Sequence, residues 1–230
     1  MTKKADLWDG TVAHAHTLQE ALKPRVQVKD GFHKPLRLVA GVTLASEDEG
    51  ARTRAVAVLL DADTMELIDA QVAHVPATTP YVPGFLSFRV MPALEKVMAQ
   101  LPKKPDLVLF DGHGIAHPQR FGIACHFGVA TGLPVIGIAT KPLLGSTSME
   151  LHEIRGAYVP LRDYGEQIGW LLRSKANDAP IVVSPGHKVA IPSVADLVMR
   201  FTREERMPEP LVMAATLDSR PATPNEGSKG

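Results

Sequence analysis

The sequence predicts a mixed α/β fold, and three observations carry that expectation. Three apolar runs follow one another between residues 36 and 75, separated only by short joints rich in turn residues. From residue 106 onward, short apolar runs alternate with helical segments. The chain has 230 residues and is 45% hydrophobic, which suits one domain with a sizeable core.

Residues 1–34 are polar, with Ala13, Leu18 and Leu22 at near-helical spacing, which predicts one peripheral helix ending before Pro24. Residues 31–35, GFHKP, read as a connector. Strands are then predicted at 36–45, 54–60 and 66–75, joined by SEDEG and DADT as an antiparallel meander. The run Glu47, Asp48, Glu49 reads as a solvated turn. Residues 77–88, ATTPYVPGFLSF, have no period but are too apolar for a solvated loop, so Tyr81, Phe85, Leu86 and Phe88 should pack against something. A helix follows at 91–101, with Pro92 tolerable in its first turn.

The second half predicts a buried strand at 106–110, a helix at 118–132 and a second buried strand at 134–139. Further strands fall at 167–173 and 181–183, with a helix at 193–201. The layout is an N-terminal helical extension at 1–34, a domain at 35–215, and a Pro/Gly/Ser-rich, disordered tail at 216–230. Three antiparallel strands, then alternating strands and helices flanking one mixed sheet, is the order of ribonuclease H-like proteins.

Composition excludes several classes. Lys+Arg and Asp+Glu both total 25, so the chain has no bulk positive charge for nucleic acid, although a local basic groove remains open. A single cysteine, Cys125, excludes an internal disulfide framework and a four-cysteine zinc site. No apolar stretch approaches the ~18 residues needed to cross a bilayer, and the N-terminus lacks a signal-peptide core. The expected compartment is the cytoplasm.

The most site-like stretch is LVLFDGHGIAHP (107–118). A strand delivers Asp111 at its C-terminal end, where ligands bind in α/β sheets, and Gly112 and Gly114 let the backbone turn sharply. Asp111 suits a hard cation, with His113 or His117 near a phosphate; the plainer reading is a capped turn with polar loop histidines. A zinc set of His113, His117, Cys125 and His126 is conceivable, but Gly114 and Pro118 argue against the helix it needs. Cys125 is adjacent to His126 in sequence and so does not face it on a helix, which favours a small buried hydrophobe over a nucleophile. YVPGFLSFR (81–89) could present a wedge or stacking surface to a base, or pack on its own core.

PYVPGFLSFR (80–89), the run from LVLFDGHG to PVIGIA (107–139), VVSPGHK (182–188) and MPEP (207–210) resemble, in order and spacing, the endonuclease V family. The similarity runs from about Leu38 to Pro210. It implies a ribonuclease H-like nuclease of DNA repair that flips out a deaminated purine, hypoxanthine, and cuts with Mg²⁺ on its 3′ side, with DNA or inosine-containing RNA as partner. By resemblance, Tyr81, Val82, Pro83 and Gly84 form the strand-separating wedge, and Phe85, Leu86 and Ser87 continue that loop. Gly112, His113, Gly114 and Ile115 border the base pocket, and His117 lies near the scissile phosphate.

The catalytic set departs from the family. Thr43 stands where the family's Gly-Ala-Asp-Val-Gly sequence carries a metal-binding Asp. Val90 replaces the Glu of Phe-Arg-Glu, Thr140 replaces a catalytic Lys, and Ala215 replaces an Asp or His; only Asp111 remains as a metal ligand. Mg²⁺ takes oxygen ligands, usually including one or two carboxylates, so tight Mg²⁺ binding is not expected. The leading expectation is therefore a pseudoenzyme that binds inosine-containing nucleic acid with cleavage lost or strongly impaired. A second reading keeps an active Mg²⁺-dependent endonuclease with oxygens from Glu47, Asp48, Glu49 or Asp61 and an inward-reaching Lys141. A third is a non-catalytic protein-interaction scaffold.

Overall fold

The computed structural model describes residues 8–77, 82 and 84–218. Its elements are α1 (Val12–Leu22), β1 (Leu38–Glu47), β2 (Arg52–Asp61), β3 (Leu67–Pro76), α2 (Leu86–Gln100), β4 (Leu107–Asp111), α3 (Ile123–Thr131), β5 (Val135–Ala139), β6 (Tyr158–Asp163), β7 (Glu166–Leu172), β8 (Ile181–His187), α4 (Ile191–Arg200) and α5 (Glu209–Asp218). One eight-stranded sheet has the order β3-β2-β1-β4-β5-β8-β7-β6. β1 to β3 form the expected antiparallel meander. β4 lies parallel to β1 and β5 parallel to β4, while β8 and β7 return antiparallel. Two parallel steps between antiparallel wings make the mixed sheet.

Both faces of the sheet are covered, which is why the central strands read as continuous apolar runs rather than alternating ones. On one face Val39, Leu109, Ile136 and Val183 pack with Val194, Val198 and Phe201 of the α4 region and with Leu211 and Ala214 of α5. On the other, Val42, Phe110 and Val135 pack with Val90, Leu94 and Val97 of α2 and with Ala124 and Phe127 of α3. No helix among the described residues is long and apolar enough to cross a membrane.

Several local expectations change. α1 buries Ala15, Leu18, Gln19 and Leu22, whereas Ala13 is exposed. The helix is not peripheral: Ala15, Leu18 and Leu22 share an apolar cluster with Phe85, Phe88, Phe121 and Cys125. Thr11 caps it by accepting the His14 N–H at 3.2 Å. α2 starts at Leu86, so Pro92 lies inside the helix. The exposed ring of Pro92 leaves the turn below it short of one N–H, while the buried stripe on either side holds the helix together. β6 and α5 were not predicted. The β6–β7 turn carries a Tyr-Gly signal, and α5 opens on Pro208-Glu209-Pro210, a helix-start pattern. α5 runs to Asp218, past the boundary expected at 215.

The acidic run is less solvated than expected. The Glu47 side chain is only 18% exposed, with Arg54 at 3.4 Å and the His74 ring at 2.8 Å. Burial pushes its carboxyl up, but the hydrogen bond and charge of His74 and the charges of Arg54 and Arg52 outweigh this and hold it below its ordinary value.

Candidate functional site

The site is assembled where β1 and β4 end. Their parallel register places Val42 opposite Phe110, so the next residues, Thr43 and Asp111, follow side by side. Alternation along a strand puts both on the face covered by α5. Asp111 and Ala215 line one groove of about 410 Å³ with Glu205, Arg206, Met207, Leu211 and Thr216. Asp111 is exposed, while Thr43 is buried with an Oγ1 that has no hydrogen-bond partner. Thr140 sits just past the end of β5 at the rim of this groove, and its carbonyl accepts from Arg206 Nη2 at 2.9 Å. Arg206 is strapped in place by the carbonyls of Ala179 and Pro180, both at 2.7 Å. Sequence reasoning missed Arg206, although it directly precedes the MPEP segment.

Val90 does not join this groove. It is buried in the apolar cluster on the opposite face of the sheet. It also borders a separate cavity with Leu44, Ala45, Ser46 and Arg89. Of positions 43, 90, 140 and 215, Ala215 lines the groove with Asp111, Thr43 and Thr140 lie next to it at the ends of β1 and β5, and Val90 lies apart. Among the described residues no three His, Cys, Asp or Glu side chains are grouped closely enough to hold a metal ion.

The donors do not fit Mg²⁺. Two carboxylates line the groove, Asp111 and Glu205, but Glu205 is exposed and drawn to Lys175 at 3.7 Å, and the neutral hydroxyl of Thr43 and the methyl group of Ala215 add no charged oxygen for a hard cation. The acidic residues considered as substitutes lie elsewhere. Glu47 is four residues beyond Thr43 on β1, roughly 13 Å along the strand, and is tied to Arg54 and His74. Asp61 pairs with Leu38, five residues in the other direction, roughly 17 Å away, and accepts the N–H groups of Asp63 and Thr64. Asp48 is 2.6 Å from Arg52. Glu49 sits beside it in the same turn, and Lys141 is exposed.

The Gly112–Ile115 loop is tightly built. Gly112 N–H donates to Ile138 of β5 at 2.8 Å. Gly114 N–H donates to Ser184 Oγ at 3.0 Å, and Ile115 N–H to the Pro185 carbonyl at 2.8 Å, both on β8. The His113 and Gly114 carbonyls accept from Ala124 and Gly122 at the start of α3. Gly114 has no room for a side chain: a Cβ there would lie 2.1 Å from the Pro185 carbonyl oxygen. Ser184, which fastens the loop, belongs to a segment that sequence reading recognised without assigning that residue a role.

His113 and His117 lie together beside this loop. Burial lowers the pKa of His113, and its Nδ1 is buried without a partner. His117 is lowered to about 4 by burial, then by the neighbouring His113 and Arg120 charges. Its Nδ1 accepts the Gln119 N–H at 3.3 Å, which leaves the proton of the neutral ring on Nε2. At neutral pH the His117 ring therefore carries a hydrogen-bond donor on Nε2 rather than a charge.

Tyr81 and Pro83 lie outside the described residues. Val82 is half-buried, and Gly84 has φ +85°, a left-handed turn that suits glycine. Phe85 is buried, with the His16 ring edge-on at 4.8 Å. Leu86 and Ser87 begin α2 instead of continuing the loop, and Leu86 remains 44% exposed. Ser87 is anchored: its Oγ lies 3.0 Å from Nδ1 of buried His126, whose ring packs on Phe88 and Phe121. Cys125 is fully buried, its thiol pushed up to about 12 by burial.

The buried histidines set an acid limit. His126 is held down to about 3 and His187 to about 4, in each case first by burial. Both stay neutral in the fold, while the unfolded chain takes up protons near pH 6.5. Stability is therefore full above that pH and falls as pH drops toward about 4, by about 1.4 kcal/mol per unit for each histidine. Melting temperature measured from pH 7 to 4.5 should follow this slope. His126→Gln, which cannot be protonated, should flatten it by one histidine's share; an unchanged slope overturns the assignment.

The comparisons agree with this architecture. The family model for Endonuclease V matches residues 20–216. A protein named Endonuclease V from Xanthomonas campestris pv. campestris is 51% identical over 213 residues, 93% of this chain and 90% of its own. The Endonuclease V structure from Streptomyces avermitilis superposes with a TM-score of 0.85 at 36% identity, covering 91% of this chain and 92% of that one. Human ENDOV gives 0.82 at 32%, covering 90% and 96%. A Ciona intestinalis Endonuclease V, solved with a DNA containing an inosine, shares the fold with a TM-score of 0.76 at 22% identity, covering 91% and 96%. Sheet order, loop geometry and these matches together place the fold in the ribonuclease H-like class, and the chain belongs to the endonuclease V family.

Proposed function

We propose that this chain binds DNA or RNA containing a deaminated purine, hypoxanthine, and does not cut it by the family's metal-dependent route. One observation carries the reading. The Gly112–Ile115 loop is held by hydrogen bonds to β5, β8 and α3, whereas the adjoining groove offers only Asp111 and an exposed Glu205 that pairs with Lys175 at 3.7 Å. The wedge assigned to Tyr81, Val82, Pro83 and Gly84 precedes the anchored Ser87 and would part the strands beside the pocket. Asp111, beside the buried hydroxyl of Thr43, is left without the ligand set that would make it catalytic. The active-enzyme reading is weaker, since Glu47, Asp48 and Asp61 are each engaged away from Asp111.

The test is anisotropy with inosine-containing and undamaged strands at low salt, with Mg²⁺ or Mn²⁺ present and gels run in parallel. Salt-sensitive binding that favours inosine, with strands intact, is expected. Nicking that disappears in Asp111→Ala would mean an active nuclease. Equal affinity for both strands removes the base-reading role, and no binding to either leaves the scaffold reading.

A further inference from the structure

β6 and β7 are joined by a two-residue turn, Tyr164-Gly165, closed by the pair Asp163 and Glu166. Both turn residues have positive φ, 49° and 84°. This is the tight hairpin geometry whose first position favours Asn, Asp or Gly. A tyrosine there is unfavourable for the backbone. Its side chain is fully exposed, so the ring gains nothing from burial in return. Folding does not explain the residue.

Its position does. Arg120 donates from Nε to Glu166 at 2.8 Å and from Nη2 to Asp163 at 2.9 Å. Its Nη1 reaches the His117 carbonyl at 3.2 Å. The residues flanking the turn are thus fastened through one guanidinium to the segment that carries His113 and His117. Arg120 and Asp163 are 22% and 19% exposed, so that half of the clamp is shielded, while Glu166 on the other side of the turn is 59% exposed. Arg162, on the same hairpin, donates to the Gly165 carbonyl at 3.0 Å and ties the turn to its own strand.

We infer that Tyr164 is a stacking platform for an unpaired base of the strand that runs past His117, a second nucleic-acid contact outside the base pocket. The inference rests on the nucleic-acid reading proposed above. Every base has a π-face, so such a contact adds affinity without reading sequence.

The test compares wild type with Tyr164→Asn, Tyr164→Phe and Tyr164→Trp, using fluorescein-labelled single strands with and without hypoxanthine at fixed salt. Asn suits the turn and should raise the melting temperature. It should nevertheless weaken binding about 5- to 100-fold on both strands, leaving the ratio between them unchanged. Phe and Trp should bind like wild type. The salt dependence should not move, because no phosphate contact is lost. A tyrosine kept only for the turn predicts the reverse: Asn harmless, Phe and Trp no better. If wild type binds and Tyr164→Asn binds equally, or if Phe loses as much as Asn, this inference fails and the pocket reading stands. If wild type binds neither strand, both fail.

Discussion

A chain carrying Thr43→Asp, Val90→Glu, Thr140→Lys and Ala215→Asp together should cut inosine-containing strands in Mg²⁺, at a rate roughly 10³-fold or more above the wild-type background. Asp at 43 would stand beside Asp111 at the adjoining ends of β1 and β4, on the face covered by α5. Asp at 215 would enter the same groove from α5, and Lys at 140 would rise at its rim. Together these add two carboxylates beside Asp111 and a lysine at the rim. Thr43 is buried and its hydroxyl unpartnered, so a carboxylate there is unfavourable until a cation joins it. Val90→Glu adds a further cost of about 1–3 kcal/mol for placing a carboxylate in an apolar cluster. The rebuilt chain should therefore melt below wild type without metal and recover as Mg²⁺ or Mn²⁺ is added. Wild type should show little metal-dependent shift. Melting curves with and without the ion, beside a cleavage gel, separate the outcomes. A variant that takes up the ion and leaves the strand whole would sink the idea that only the chemistry was removed.

The fold was largely legible because strands covered on both faces announce themselves as unbroken apolar runs. The meander and the strands ending at Asp111 and Ala139 fall within two residues of their expected limits. What escaped was set by tertiary packing. α2 starts five residues early because Leu86–Val90 is stabilised by contacts no local pattern shows, Ser87 to His126 and Phe88 to its aromatic neighbours. Glu47 looked like a solvated turn charge because its partners, Arg54 and His74, come from neighbouring strands. The candidate site divides the same way. Motif comparison singled out Asp111, the glycine loop and positions 43, 90, 140 and 215. It could not show that Val90 lies on the far face of the sheet, or that Arg206, Ser184 and Arg120 brace the groove, the loop and the β6–β7 hairpin.

Gly114→Ala should abolish any preference for inosine while leaving the protein folded at room temperature. The added Cβ would lie 2.1 Å from the Pro185 carbonyl oxygen, 2.6 Å from its carbon and 2.9 Å from Ser184 Oγ. The first two are backbone atoms of β8, where Pro185 lies opposite Ile136 of β5 and the pairing with β7 holds residues 181–183 just before it. The loop must lift instead. Lifting breaks the Gly114 bond to Ser184 and the Ile115 bond to Pro185, each worth about 0.5–1.5 kcal/mol net. With overpacking of about 1–3 kcal/mol, the expected loss is about 2–6 kcal/mol, or roughly 4–24 °C in melting temperature for a chain of this size. Gly132→Ala supplies the control. Its φ of +71° makes alanine unfavourable, yet nothing stands within 4 Å of its Cβ. It should cost about 1–2 kcal/mol through the backbone alone and leave base preference unchanged. The two variants share a lesion type, glycine to alanine, and differ in whether the Cβ strikes the loop's support. Loss of selectivity in Gly114→Ala but not in Gly132→Ala would locate base reading in the Gly112–Ile115 loop; equal selectivity in both would place it elsewhere.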